Sequence, residues 1–266
     1  MTHKPLKYRV LESQKTHHSN TGYLSGMNKT KYIIDFYILF IRIQGGERKT
    51  TIMGRRKVPL ACGCFYHIFN RSIAGFEIFR YPAEYQRFRA TLRYYKTAIS
   101  TRSFSIALRL NKLNAPEMHG PDRVRILAYC LMPTHFHLFL EQLAPNGIED
   151  YVRFIEAGYA HFFNLRSKRR GPLWESRFEN RLVEADPYAL HLMRYIHLNP
   201  VSTGLAKKAE GWEFSSYHEH LARSQEEPLC AFKDIMDLSP ATIKKFTDNR
   251  ADYQRSLALI KGLILD

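Results

Sequence analysis

Several residue types and patterns that define whole classes of protein are scarce or missing in this sequence. Only 4 of the 266 residues are cysteine, at irregular spacing, which excludes a disulfide framework and favours a reduced, cytoplasmic setting. No apolar run approaches the roughly 20 residues of a membrane span. The most apolar early stretch, residues 33–43, contains Asp35 and Arg42. Neither a secretory signal peptide nor a P-loop pattern is present. We therefore expect no membrane partner and no nucleotide hydrolysis.

Acidic residues are scarce relative to basic ones. The chain has 40 Lys and Arg against 25 Asp and Glu, which gives a formal net charge of +15 and a pI near 9.7. Such an excess usually indicates a polyanionic partner, nucleic acid before an acidic membrane. A merely basic protein is the alternative. The hydrophobic content of 45% is ample for one sizeable core.

The sequence divides into three regions. Residues 1–57 are polar and basic around one apolar island. They are predicted to be a poorly ordered N-terminal extension or the result of a start assigned too early, because Met53 opens a segment suited to starting translation. Residues 58–218 carry the organised pattern and are predicted to form the main domain. Residues 219–266 are predicted to be a mainly helical tail.

The organised region alternates between strand-like and helix-like patterns. Strands are predicted over residues 64–68, 124–132, 135–141 and 178–183. Helices are predicted over residues 82–99, 149–166 and 186–199. The last is expected to end near Asn199, because Pro200 disfavours helical geometry in the residue before it. This order predicts a ferredoxin-like α+β fold: a two-layer sandwich with an antiparallel central sheet and an additional C-terminal helix.

A pair of histidines lies on the predicted strand 135–141. Alternate side chains of a strand share a face, so His135 and His137 point the same way. The opposite face carries only apolar residues, Phe136, Leu138 and Leu140, which we expect to face the core. Two neighbouring neutral imidazoles form half of a metal site. The alternative is a pair of surface histidines.

The helix that begins near Asp186 carries polar residues along one flank. Steps of three and four place Tyr188, His191, Tyr195 and Asn199 on that flank. Tyr195 and Asn199 are one turn apart, so Asn199 could give its side-chain oxygen to a metal that also polarises the group attacked by Tyr195. Spacing alone favours the alternative, an ordinary tyrosine of an amphipathic helix.

A basic cluster lies between the last two predicted helices. Residues 166–170 are Arg-Ser-Lys-Arg-Arg, and Trp174 and Arg177 follow. Cations beside an exposed aromatic suit phosphate contacts combined with base stacking. A solvated loop is the alternative.

Five segments in order resemble one known family. They are Tyr66–Arg71, Met132–His137, Gly171–Phe178, Arg194–Val201 and Trp212–Tyr217. Together they make residues 58–218 resemble the REP-associated tyrosine transposases, a branch of the single-tyrosine HUH transposases of bacterial insertion sequences. Each segment is weak evidence alone, but five in order with sensible spacing are specific. The residue before the first histidine, Thr134, departs from the asparagine that is usual in the family.

The resemblance implies a metal-dependent enzyme of DNA transposition. It implies a Mg²⁺ or Mn²⁺ ion held by His135, His137 and Asn199, with Tyr195 as the nucleophile. Tyr159 and Tyr188 are competing tyrosines outside the matched segment, and His191 is a possible further contributor. Imidazole ligands favour Mn²⁺ over Mg²⁺.

The resemblance also implies the reaction and its partner. The substrate is single-stranded or hairpin-forming DNA, cut through a 5′-phosphotyrosine link that leaves a free 3′-OH, and rejoined without ATP. The candidate DNA-binding residues are Arg71, Lys168, Arg169, Arg170, Trp174 and Arg177. The protein is expected to act as a monomer or homodimer. Two alternatives remain: a non-catalytic nucleic-acid-binding module on the same fold, and a metal-dependent hydrolase that uses water.

Overall fold

The computed structural model describes residues 59–97, 103–113, 120–183 and 186–249, although the side chains of residues 186–188 and 234 are not described. The predictions for residues 1–57 lie outside this part of the chain. The described strands are β1 (Phe65–Arg71), β2 (Val124–Met132), β3 (His135–Gln142) and β4 (Glu179–Val183). The described α-helices are α1 (Pro82–Tyr94), α2 (Phe104–Arg109), α3 (Gly147–Arg166), α4 (Asp186–Ser202), α5 (Tyr217–His220) and α6 (Pro240–Asp248).

The four strands form one antiparallel sheet in the order β2-β3-β1-β4. β2 and β3 are joined directly by Pro133 and Thr134, whereas the helices follow β1 and β3 and cross over the sheet. This strand order and connectivity confirm the ferredoxin-like α+β fold with an additional helix after β4. The sheet places β1 and β3 side by side at its centre, although more than 60 residues separate them in sequence.

The two faces of β3 are both covered by helices. Phe136, Leu138 and Leu140 are completely buried in the cluster formed with α1 and α3, as strand alternation predicted. Phe139, on the opposite face, is also completely buried and packs in a second cluster with Ile196 of α4. The additional helix therefore covers the face that carries the histidine pair, and the burial of His137 contradicts the alternative of two surface histidines.

Three element boundaries differ from the sequence-based predictions. α1 ends at Tyr94 and not at residue 99, because the carbonyl oxygens of Lys96 and Thr97 accept hydrogen bonds from Arg123. α4 runs through Pro200 to Ser202, so the expected end near Asn199 is wrong by almost one turn. Proline removes one helical N–H donor. The surrounding residues Leu198 and Val201 are buried in the core, and their packing offsets that loss. β1 likewise continues beyond the predicted end at residue 68 to Arg71, because the Asn70 side chain donates to Glu156 Oε1 at 2.8 Å and to the Ser176 carbonyl oxygen at 3.0 Å.

The described part of the C-terminal tail packs against the domain. The boundary predicted after residue 218 falls inside α5. Glu219 is buried and accepts hydrogen bonds from Tyr129 Oη at 2.9 Å, from Leu229 N at 2.8 Å and from Cys230 N at 2.9 Å. The tail is therefore fastened to β2 up to this point. All four cysteines are free thiols, and no helix in the described ranges is long and apolar enough to cross a membrane.

Candidate active site

A cleft of roughly 610 Å³ opens between the centre of the sheet and α4. It is lined by residues of β1, β3, β4 and α4 and by the turns beside them. All four residues predicted for the nucleophile and the metal line it together: His135, His137, Tyr195 and Asn199. Its volume falls within the range of small-molecule and cofactor sites. The strand and the helix that carry the predicted residues therefore meet in space.

The candidate nucleophile lies against the histidine pair. The Tyr195 ring meets the His137 ring edge-on, with centroids 5.6 Å apart and an interplanar angle of 79°. The His135 and His137 rings are also nearly perpendicular, with centroids 5.1 Å apart. His137 is buried, whereas His135 and Tyr195 are partly exposed to the cleft. The phenol is thus held beside the imidazoles while remaining accessible from outside.

A third histidine, His67 of β1, lies directly behind the pair. Its Nε2 is 3.0 Å from His137 Nδ1, and the two rings are stacked with centroids 5.2 Å apart. The His67 ring also meets the Tyr195 ring edge-on, at 6.0 Å between centroids. Burial, followed by the positive charge of Arg181, lowers the pKa of His67 to about 3. His67 is therefore neutral at physiological pH and can exchange a hydrogen bond with His137.

The sequence offered one signal for His67, its place in the matched segment Tyr66–Arg71. Its role could not be predicted without the strand order. Phe69 is paired with His137, so His67 is the diagonal neighbour of His137 on the same face of the sheet.

Thr134 contacts the other histidine of the pair. Its Oγ1 lies 3.0 Å from His135 Nδ1. Burial, followed by the charge of Arg71, lowers the pKa of His135 to about 4, so this ring is neutral at physiological pH. Neutral imidazole is the form that binds metals, and metal-ligating histidines usually engage their second nitrogen in a hydrogen bond. The position that departs from the family pattern is therefore one that orients His135.

The residues of the cleft fit a divalent cation. Asn199 is 8% exposed, and its Nδ2 has no hydrogen-bond partner among the described residues. The amide nitrogen and oxygen are interchangeable in assignment. An amide turned to present its oxygen to a cation would account for the unsatisfied atom. No group of three or more His, Cys, Asp or Glu side chains in the described ranges could hold a metal. A site here therefore depends on Asn199 as the third donor.

Two arginines flank the cleft from neighbouring strands. Arg71 of β1 forms an ion pair with Glu175, and its side chain is 72% exposed. Arg181 of β4 lies 3.6 Å from Glu179 and is 38% exposed. Exposed ion pairs are weak, so an incoming phosphate can compete with either glutamate. Arg181 was not singled out from the sequence, because a lone arginine on a short strand carries no pattern.

The predicted DNA-binding residues separate into two groups. Lys168, Arg170 and Arg177 are exposed, as is Arg71. Arg169 is half-buried, and its guanidinium donates to Asn164 Oδ1 at 3.0 Å and to the Pro172 carbonyl oxygen at 2.6 Å.

Trp174 is not the exposed aromatic that the sequence predicted. Its Nε1 donates to the Glu156 carbonyl oxygen at 3.0 Å, and its ring packs edge-on against Phe136 with centroids 5.4 Å apart. The side chain is half-buried against the main core cluster. The expectation of an exposed stacking ring at this position is therefore wrong, because Trp174 anchors the loop after α3 to the domain.

The competing residues are directed elsewhere. Tyr159 is 1% exposed and donates its hydroxyl to the Ile78 carbonyl oxygen at 2.6 Å. His191 Nδ1 accepts from Arg194 at 2.7 Å, and its ring lies 5.5 Å from that of Phe246 in α6. Neither residue lines the cleft. The side chain of Tyr188 lies outside the described residues.

Comparison with known proteins confirms the resemblance derived from the five segments. A REP-associated tyrosine transposase of Escherichia coli (strain K12) is 28% identical over 117 residues, which cover 43% of this chain and 66% of the relative. A relative from Haemophilus influenzae (strain ATCC 51907 / DSM 11121 / KW20 / Rd) bears the same family name in provisional form. It is 24% identical over 104 residues, which cover 35% of this chain and 58% of the relative. The chain thus matches just under two thirds of the first relative's length.

No protein-family model matches the chain. A solved structure is similar to it. The solved structure is described as a REP-associated tyrosine transposase bound to a REP hairpin. It covers 71% of this chain and 96% of its own, with 19% sequence identity and a TM-score of 0.47.

Proposed function

We propose that this chain, similar in sequence to the REP-associated tyrosine transposases, is a DNA transposase that cuts and rejoins single strands at hairpin-forming repeats. Tyr195 is the nucleophile in this proposal. The observation that carries it is the cleft in which the Tyr195 ring lies 5.6 Å from the His137 ring, with His135 and Asn199 lining the same space. The net charge of +15 supports a polyanionic substrate.

The proposed chemistry is a transesterification at phosphorus. The Tyr195 oxygen forms a bond to the scissile phosphate as the bond from phosphorus to the 3′ oxygen breaks, and the leaving oxygen takes up a proton to become a free 3′-OH. The product is a 5′-phosphotyrosine link. Attack by a 3′-OH on this link reverses the step and reseals a strand. One phosphodiester is exchanged for another, so the reaction needs no ATP.

His135, His137 and Asn199 would hold a divalent ion, Mn²⁺ or Mg²⁺. Such an ion would supply Lewis-acid stabilisation of charge on the phosphate. His67 and Thr134 each engage the Nδ1 of one histidine and so fix the orientation of its ring. Arg71 and Arg181 flank the cleft and would bind the phosphates on either side of the cut.

The proposal is tested by trapping the covalent link. Purified protein is mixed with end-labelled hairpin oligonucleotides and Mn²⁺ and then denatured before electrophoresis. We expect a denaturation-resistant protein–DNA band from the wild type and none from Tyr195→Phe. Tyr81→Phe is the matched control, because Tyr81 is 56% exposed but does not line the cleft.

The two alternative functions give different gels. A non-catalytic binding module would bind the DNA without forming any covalent band. A hydrolase that uses water would cut without a protein–DNA link and would still cut as Tyr195→Phe. A covalent band that persists in Tyr195→Phe would refute the choice of nucleophile.

A further inference from the structure

An exposed aromatic ring lies at the rim of the cleft, on the turn that follows β1. This turn meets the loop after α3, because Ile73 N donates to the Leu173 carbonyl oxygen at 2.9 Å. Ala74 and Gly75 line the cleft, and the next residue, Phe76, is 49% exposed. A single exposed apolar residue is ordinary in itself. The surroundings of Phe76 are what distinguish it.

The backbone holds Phe76 in a fixed position. Ala74 and Gly75 both adopt positive φ, at 52° and 67°, which turns the chain sharply before Phe76. Phe76 N donates to the Ile73 carbonyl oxygen at 3.2 Å, and the Ser72 hydroxyl donates to the Phe76 carbonyl oxygen. The ring is thus displayed by a hydrogen-bonded turn. Because the turn is already ordered, a ligand that stacks on the ring loses little free energy to ordering the backbone.

A cation is fixed over the same ring. The guanidinium carbon of Arg169 lies 5.2 Å from the Phe76 ring centroid. Arg169 is held there by its hydrogen bonds to Asn164 and to the Pro172 carbonyl oxygen. The neighbouring Lys168 and Arg170 are exposed. The turn and the loop therefore present one aromatic face beside several positive charges, immediately outside the cleft.

We propose that Phe76 and Arg169 form a stacking site for the single-stranded DNA that leaves the cleft beside the cut. The proposal rests on the function proposed above and names the DNA form that the rim selects. Aromatic rings beside a basic groove bind single strands because every unpaired base can stack on a ring while the phosphates meet the cations. The bases of a duplex are already stacked on each other. The site therefore favours unpaired DNA. In this proposal Phe76 supplies the stacking ring that was expected at Trp174.

The test measures binding to a single strand and to a duplex. The probes are a fluorescein-labelled oligothymidylate of about 12 nucleotides and a blunt duplex of equal length, followed by fluorescence anisotropy without metal. We expect Phe76→Ala to weaken single-strand binding about tenfold and to leave duplex binding unchanged. Leu108→Ala is the matched control, because Leu108 of α2 is also 49% exposed but does not line the cleft.

Two further variants separate stacking from simple apolar contact. Phe76→Tyr keeps an aromatic face and should bind like the wild type, whereas Phe76→Leu keeps apolar area without that face and should bind like Phe76→Ala. The salt dependence should be the same in all Phe76 variants, because none removes a phosphate contact. Wild-type affinity in Phe76→Leu, or an equal loss on duplex, would overturn the proposal.

The outcomes also distinguish this proposal from the proposed function. If Phe76→Ala binds the single strand as tightly as the wild type, the stacking site is refuted, while the Tyr195 link can still form. If the wild type binds no oligothymidylate, the stacking site is likewise refuted. If the variants behave as expected and no Tyr195 link forms on any hairpin, the rim binds single strands and the transposase proposal fails.

Discussion

His67 Nε2 and His137 Nδ1 lie 3.0 Å apart, so this contact joins β1 to β3, the strand that carries the histidine pair. Because the same His67 ring also meets Tyr195 edge-on, one buried side chain contacts both a proposed metal ligand and the proposed nucleophile. Hydrogen bonds of this kind fix the tautomer and orientation of a ligating imidazole.

Removal of this contact should weaken metal binding. We expect His67→Ala to lower the affinity for Mn²⁺ about 10- to 100-fold, the usual effect of losing the hydrogen-bond partner of a ligating histidine. Isothermal titration calorimetry on the DNA-free protein measures it. His161→Ala is the control, since His161 is an exposed histidine of α3. Equal Mn²⁺ affinity in His67→Ala and wild type would show that His137 needs no support from β1.

The side chain of Asn199 should contribute through its oxygen. We expect Asn199→Ala to lose most Mn²⁺ affinity and Asn199→Asp to keep it, because carboxylate oxygen is a good ligand for hard cations. Electron paramagnetic resonance of bound Mn²⁺ reports both changes. Without metal, Asn199→Ala should change the free energy of unfolding little through hydrogen bonding, because the Nδ2 atom that it removes has no hydrogen-bond partner among the described residues. Loss of Mn²⁺ binding in Asn199→Asp would contradict the assignment.

Acid should destabilise the metal-free protein through its buried histidines. Burial lowers the pKa of His135 and of His220 to about 4, below the unfolded value of about 6.5. The unfolded chain therefore binds more protons than the folded one between these values. Stability is retained above pH 6.5 and falls as the pH drops towards 4.

For the fully buried His220 the loss is on the order of 3 kcal/mol. Thermal melts followed by circular dichroism from pH 7 to pH 4 measure it. His220→Asn, which does not titrate in this range, should give a flatter profile than the wild type. A melting temperature that does not change between pH 7 and pH 4 would be inconsistent with the neutral burial of these rings.

Glu219 should be needed to hold the tail on the domain. Glu219→Ala removes the acceptor for Tyr129 Oη, Leu229 N and Cys230 N, which are then buried without it. We expect a loss of about 3 kcal/mol in the free energy of unfolding and faster proteolysis between residues 222 and 230. Urea unfolding and limited proteolysis measure the two effects. Glu213→Ala, at an exposed position, is the control, and equal stability of the two variants would count against an anchoring role.

Local periodicity was sufficient to predict most of the fold. The strand over residues 124–132 agrees at both ends with the structure, and the alternation of β3 assigned each of its faces correctly. The order of strands and helices along the chain could be predicted. It indicated the ferredoxin-like topology because few sheet topologies are compatible with that order. The meeting of β3 with α4, by contrast, came from the resemblance and not from spacing.

The features that sequence reasoning missed depend on contacts between distant segments. His67 becomes a neighbour of His137 only because β1 pairs with β3. Trp174 is half-buried by packing on Phe136, whereas Phe76 is exposed. α4 passes through Pro200 because buried neighbours offset a missing hydrogen bond. Each is a case in which tertiary packing outweighs a local rule.

The position of α6 bears on how the reaction rate depends on enzyme concentration. Phe246 of α6 packs under the guanidinium of Arg194 at 4.1 Å, so the residue next to Tyr195 is held by its own chain. His135 and His137 of β3 and Tyr195 of α4 line the same cleft within the chain. The rate of covalent-link formation at saturating DNA should rise in direct proportion to enzyme concentration. In dilute solution it should not depend on the square of that concentration.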